Sequence, residues 1–229
     1  MSVEIIGNWF YAKTAEEFLE DAKQENYLGD LLTDKFKDKY KKDPDIPLKT
    51  SWYSSPQALA DALRRGRAIK GRVVVLEYCM DTNTRIDALV CAMTSKKQPH
   101  VALVELKQWE KCRLRACERL EHIDVQFNEK WHQVLHPCSQ VIKYRNRLDQ
   151  ILNVPKSRQN FSFSTYAYLH NCWELSQEWL QLLRGEKFEE IVKQTPLYTK
   201  RYSGAIGNRI RQSTTGWNGL DVLEMINKK

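Results

Sequence analysis

Three short apolar runs follow one another in the middle of the chain: "RVVVLEYCM" (72–80), "TRIDALVCAM" (84–93) and "HVALVELK" (100–107). Their β-branched content, and the polar breaks "DTN" and "TSKKQP" between them, predict three strands joined by turns. Just before them, "SSPQALADALRRG" carries a serine cap, an early proline, an apolar stripe and a closing glycine, which together predict a short helix. After them, "HPCSQVIKYRNRLDQIL" (136–152) starts with proline and sets Val141, Tyr144, Leu148 and Ile151 at helical spacing. "NFSFSTYAYLH" (160–170) predicts one more strand. The order helix, three strands, helix, strand implies an α/β core, a mixed sheet flanked by helices.

Around this core, residues 1–50 read as a charged, helical N-terminal extension. "TAEEFLEDAKQ" offers Thr14 as a helix cap with Glu17 three residues on. "LLTDKFKDKYKKDPDIP" runs from a basic helix into a proline-bounded linker, its lysines on a solvated face. The core spans 51–170, with the charged segment 110–134 left unassigned. Residues 171–229 read as a helical C-terminal extension or connector. There "ELSQEWLQLLRGEKFEEIVKQ" is helical with an interruption at Gly185, and "RYSGAIGNRIRQSTTGWNG" reads as a linker or docking surface.

The 229 residues, 42% hydrophobic and 28% charged, suit one globular domain with extensions. The apolar runs are too short to span a bilayer, and no secretory signal opens the chain, so a cytoplasmic protein with no membrane partner is expected. Cysteines at 79, 91, 112, 117, 138 and 172 form no C-x-x-C pair, which argues against both a disulfide framework and a zinc ribbon. The net charge of +7 suits a polyanionic partner, although charge alone is weak evidence for one.

Strand alternation places Val101, Leu103, Glu105 and Lys107 on one face of their strand, with Ala102, Val104 and Leu106 on the other. On the preceding strand Ile86, Ala88 and Val90 share a face, and Asp87 points the opposite way. Antiparallel pairing of the two strands can bring Asp87 beside Glu105. Adjacent carboxylates repel unless a cation joins them, and a hard divalent ion with oxygen ligands does so. A lysine beside such an ion can orient a water for metal-assisted hydrolysis. The same spacing also fits a surface ion pair between Glu105 and Lys107 with Asp87 solvated nearby.

Asp87 followed by "ELK" at the end of the next strand, within this element order, resembles the PD-(D/E)xK nuclease superfamily. "SQVIKY" supplies Gln140 and Tyr144 in a pattern similar to the Q-x-x-x-Y helix motif of RecB-like members. "RIDALV", "VELKQW", "HPCSQVIKY" and "AYLHN" together resemble the N-terminal nuclease-like region of bacterial and phage proteins that carry a helicase-type ATPase. That resemblance covers roughly residues 50–200. It implies a restriction-endonuclease-like core and Mg²⁺- or Mn²⁺-dependent hydrolysis of phosphodiester bonds in DNA, with RNA left open. It further implies metal ligation by Asp87, Glu105 and the Leu106 carbonyl. Lys107 would then serve the water, and Gln140 and Tyr144 would support Lys107 or substrate. Glu77 is the better candidate for a third acid than Asp61, and it fits equally well as an ion-pair partner of Arg85. No phosphate-loop motif G-x-x-x-x-G-K-[ST] occurs, so a helicase-type ATPase would be a separate partner, or this chain a fragment of a longer one. The iron–sulfur cysteine quartet of some RecB-like nucleases is missing as well. The alternative to an enzyme is a non-catalytic DNA-binding module that recruits or regulates such an ATPase. Of the remaining candidates, His132 and His136 are not expected to bind metal, and His136 is expected to stabilise the start of the Gln140 helix. His170 is expected to be structural. Trp109 is expected to cover the sheet edge, with base stacking as the other role open to it.

Overall fold

The computed structural model describes residues 7–81, 84–110, 113–127, 129–153 and 160–228. Thr82 and Asn83, in the first expected turn, and Cys112 lie outside them. An edge strand that alternation did not reveal, β1 (Tyr11–Thr14), pairs antiparallel with β2 (Val73–Cys79). The expected meander follows as β2, β3 (Arg85–Met93) and β4 (Pro99–Lys107). β8 (Ser162–Leu169) lies parallel to β4, and β9 (Leu197–Thr199) parallel to β8, so the sheet β1-β2-β3-β4-β8-β9 is mixed.

A parallel return needs a crossover. Here it carries α5 (Pro137–Leu152) and, before that helix, a separate antiparallel sheet of β5 (Arg113–Arg115), β6 (His122–Phe127) and β7 (Lys130–Leu135). This small sheet occupies the unassigned charged segment. Its strands are short, and only Leu114, Ile123 and Val125 are fully buried, so the apolar signal is thin.

Helices cover both faces of the main sheet. On one face lie α1 (Ala15–Asp21), α2 (Tyr27–Tyr40), α3 (Ile46–Trp52), α4 (Ser55–Arg65) and α8 (Ser203–Ser213). Phe18, Leu28, Leu32, Leu59, Leu63 and Ile206 from these helices bury against Val74, Leu76, Ala88 and Val104. Each such side chain contributes about 1.5–3 kcal/mol of transfer free energy. The charged segment before residue 50 therefore feeds the core, while Lys35, Lys37 and Lys39 stay exposed as expected. Thr14 and Glu17 form the expected capping box at the start of α1. On the other face α5 and α9 (Gly219–Asn227) bury Val141, Leu148, Val222 and Ile226 against Val75, Leu89 and Leu103. A third cluster joins the small sheet to α6 (Gln177–Arg184) through Leu114, Ile123, Val125, Trp179 and Leu183. After Gly185, which ends α6 as anticipated, a 3₁₀ turn leads into α7 (Glu189–Gln194). Among the described residues no helix is long and apolar enough to cross a membrane.

The Gly/Thr/Ser/Asn-rich stretch corrects the sequence reading. It forms α8, packed against α4, rather than a linker. Its glycines permit close approach: a Cβ on Gly207 would sit 1.9 Å from the Ala62 carbonyl oxygen. Gly207→Ala should therefore destabilise the fold by about 3 kcal/mol, the upper end of ordinary overpacking. Urea unfolding monitored by circular dichroism would measure this, and an unchanged midpoint would refute the close-packed seam.

Candidate active site

The site forms at the end of the meander where β2, β3 and β4 lie side by side. In β4 alternation holds as expected: Val101 and Leu103 enter one core, Ala102, Val104 and Leu106 the other. It fails in β2 and β3. Ala88 and Val90 share one core, but Ile86 lies in the opposite one, contrary to the sequence reading. β2 resets at the same level, with Leu76 in one core and Tyr78 in the other. Between those residues Glu77 has φ +54°, a left-handed conformation that costs a non-glycine residue about 1–3 kcal/mol. The regular pleat is thus broken at the level of Glu77 and Asp87. Glu77 also abuts Asp87 and Leu106 around a cavity of ≈ 50 Å³, room for more than one water.

Asp87 takes the place of a ladder carbonyl, accepting the Leu106 backbone N–H at 2.8 Å. Glu105 is 1% exposed. Its Oε1 lies 2.7 Å from Lys107 Nζ, yet neither carboxylate oxygen has a well-aligned hydrogen-bond donor among the described residues. Lys107 instead donates to Gln140 Oε1 at 3.1 Å, and Gln140 Nε2 donates to Tyr144 Oη at 2.8 Å. The predicted pair on α5 and the predicted lysine on β4 are therefore joined in one chain of hydrogen bonds. The Lys107 backbone is pinned too, its carbonyl accepting the His170 N–H at 3.0 Å.

Burial, reinforced by the Asp87 charge, pushes the Glu105 carboxyl up to about 8. Burial likewise raises Asp87, against the opposing pull of Lys107. For Lys107 burial disfavours the charge, but Glu105 and Asp87 outweigh it and hold the ammonium protonated. The remaining acid, Glu77, is also raised by burial and by Asp87, and it is bound by Arg85 at 2.7 Å. Arg85 in turn sits over the Phe36 ring, 5.2 Å from its centroid, with Phe10 and Tyr40 close by. This aromatic seat could not be read from the sequence, because its parts lie on β3, α2 and the segment before β1.

Among the described residues no three His, Cys, Asp or Glu side chains form a ready ligand set. With Glu77 committed to Arg85, an ion here would have two carboxylates, Asp87 and Glu105. The Leu106 carbonyl, water or substrate oxygens would complete its shell. That donor set suits Mg²⁺ or Mn²⁺, which keep waters and take few protein ligands. The buried oxygens of Glu105, which meet Lys107 Nζ at 2.7 Å and no other donor among the described residues, fit such an ion.

The other candidates fall outside this constellation. Asp61 is exposed and paired with Arg64 at 2.7 Å. Trp109 is buried in the third cluster, which removes it as a base-stacking residue. His132 is exposed on β7. Buried His136 caps α5: its Nδ1 accepts the Cys138 N–H at 3.2 Å and its Nε2 donates to the Leu183 carbonyl at 3.1 Å. His170 is buried, with Nε2 3.0 Å from Ser55 Oγ. Cys79, Cys91, Cys117, Cys138 and Cys172 are free thiols.

The raised Glu105 carboxyl makes stability depend on pH. The folded state holds this proton more tightly than the unfolded chain, whose ordinary value is 4.5. The associated stability is complete below that value and is lost as pH rises towards 8. Below about pH 6.5 three buried histidines, His100, His136 and His170, each pushed down to about 4, act in the opposite sense. The metal-free protein should therefore melt at progressively lower temperature from about pH 7 to about pH 8, and Mn²⁺ bound at Glu105 would reverse the decline. Calorimetry across this range, with and without Mn²⁺, checks the sign; a metal-free melting temperature that climbs with pH would contradict it. No family model, curated protein or solved structure matches this chain.

Proposed function

We propose that the chain is a metal-dependent nuclease of the PD-(D/E)xK type, with a restriction-endonuclease-like core, that hydrolyses phosphodiester bonds in DNA. The observation that carries this reading is Glu105: a carboxylate 1% exposed, without an aligned donor, next to Asp87 and a protonated lysine. Burying a carboxylate beside Asp87 with Lys107 as its one cation is costly, and a divalent cation brought to it would lessen the cost. Asp87 and Glu105 would hold Mg²⁺ or Mn²⁺, with the Leu106 carbonyl as a further ligand. Such an ion, when bound, supplies Lewis-acid polarisation of the phosphate and lowers the pKa of a water.

The protein's own groups account for the rest. Lys107 is a cation, so it acts by orienting water and stabilising negative charge on phosphate oxygens rather than by accepting a proton. Gln140 and Tyr144 fix the ammonium against rotation, which keeps it in register with the two acids. Arg85 pairs with Glu77 at 2.7 Å and so offsets the charge of this third acid beside Asp87. The sequence resemblance extends the reading to a helicase-type ATPase as partner.

Incubating the protein with labelled linear and circular DNA tests the reading, with Mn²⁺ in one arm and a chelator in the other. Cleavage that requires Mn²⁺ is expected. Binding without cleavage in Mn²⁺ would instead mark a non-catalytic DNA-binding module.

A further inference from the structure

The inner face of the small sheet is explained by packing, but its outer face is not. Leu114, Ile123 and Val125 point inward to the third core. The register places Arg113, Gln126 and Trp131 in one row across the outer face, and Arg115, Asp124 and Gln133 in the next. Among the described residues Trp131 is the one aromatic in these rows, and it is 37% exposed. The Arg115 guanidinium lies 4.2 Å from its ring centroid and also binds Asp124 at 2.9 Å, so the one acid of this face among the described residues is paired. Arg113 is exposed and has no acid partner among the described residues. An indole, two guanidinium groups and two carboxamides thus lie together on one solvent-facing sheet.

Chain connectivity ties this face to the candidate site. β5 follows Lys107 after a short link, and β7 runs directly into His136, the cap of the helix that carries Gln140. An extended strand and one helical turn place Trp131 no more than roughly 25 Å from Gln140.

We infer that the outer face of the β5-β6-β7 sheet docks single-stranded DNA near the candidate site, Trp131, backed by Arg115, stacking on a base while Arg113 holds the backbone. This deepens the nuclease reading and rests on it for the identity of the polymer. The chemistry favours a single strand. Stacking requires an unpaired base with an open face, and base–aromatic contacts tolerate any sequence. Arg113 supplies the phosphate term, and Arg115 adds a cation–π contact to the indole. A duplex offers Arg113 its phosphates but keeps its bases from the indole.

The test measures binding rather than cleavage, using the full chain in chelator, with fluorescently labelled oligothymidine and a duplex as probes. Trp131→Ala should weaken oligothymidine binding about tenfold, in line with the loss of one stacking contact, and leave duplex binding nearly unchanged. Trp131→Phe should recover most of the loss. Arg113→Ala should weaken both probes and flatten the salt dependence. An unaltered thermal melt for each variant excludes misfolding, because the replaced side chains are exposed. Equal oligothymidine affinity in wild type and Trp131→Ala would overturn the inference, as would tighter binding of oligouridine than of oligothymidine. The two readings fail separately. A chain that cuts DNA without help from Trp131 loses only the docking face, whereas one that grips single strands through Trp131 but never cuts loses only the nuclease assignment.

Discussion

Replacing Lys107 with alanine should lower Mn²⁺-dependent cleavage by about two orders of magnitude or more while leaving Mn²⁺ affinity within a few-fold. A loss of that size is roughly 3 kcal/mol of transition-state stabilisation, the scale expected for one positioned charged contact. The geometry separates this outcome from simple unfolding. Lys107 Nζ lies 2.7 Å from Glu105, a carboxylate 1% exposed, and deleting one partner of a buried pair ordinarily destabilises by about 3–5 kcal/mol. Here the penalty is blunted, because the Glu105 carboxyl is already raised to about 8 and can take up a proton at neutral pH. Bound Mn²⁺ would supply the missing positive charge. The variant should therefore regain near-wild-type melting once Mn²⁺ is added, yet stay inactive. Gln140→Ala should produce a milder version of the same phenotype, since it frees the ammonium without removing it. Cleavage unchanged in Lys107→Ala would return this lysine to the role of a plain ion-pair partner.

Much of this arrangement was legible from residues alone, and the limits have physical causes. The three central strands and both flanking helices were readable because each carries an unbroken run with local stop signals, as at Gly66 and Pro137. The join between β4 and α5 through Lys107, Gln140 and Tyr144 was expected only from the resemblance of two short motifs, because helical spacing alone fits Tyr144 equally as a core residue and Gln140 as a rim hydrogen bonder. Alternation failed at Ile86 because the pleat resets at Glu77 and Asp87, and no local rule marks a left-handed glutamate. β1 was hidden because only four residues pair, in a segment whose apolar content serves the aromatic core around Arg85. The helix α8 was misread because Gly204 and Gly207 look like breakers in isolation. The meaning of Gly207 lies in the Ala62 carbonyl, a tertiary partner far away in the chain. The Arg85 clamp on Glu77 was one of two readings open to that acid. Burial and the ring contacts of the arginine favour it over metal ligation.

Glu105→Gln should give the clearest separation of stability from function. Activity is expected to fall by about three orders of magnitude or more, because the amide removes one of the two carboxylates available to an ion. Stability of the metal-free protein should move the other way. The wild-type carboxylate is buried, lacks an aligned donor and faces the Asp87 charge, so ionising it is unfavourable. Glutamine has nearly the same shape, its oxygen can still accept from Lys107, and its NH₂ can donate towards Asp87. Replacing repulsion by a hydrogen bond is worth about 1 kcal/mol, or roughly 2–4 °C in melting temperature for a chain of this size. That gain should be largest above pH 8, where wild-type Glu105 ionises, and should vanish near pH 5, where both side chains are neutral. Saturating Mn²⁺ should then reverse the ranking. Ligand at a hundred times its dissociation constant stabilises only the wild type, by about 2.7 kcal/mol, which exceeds the glutamine advantage. Melting curves recorded at two pH values, with and without Mn²⁺, would show the two proteins exchanging places. If glutamine destabilised the metal-free protein at high pH, Glu105 would be a structural anchor satisfied by Lys107, and the metal reading of this site would lose its physical basis.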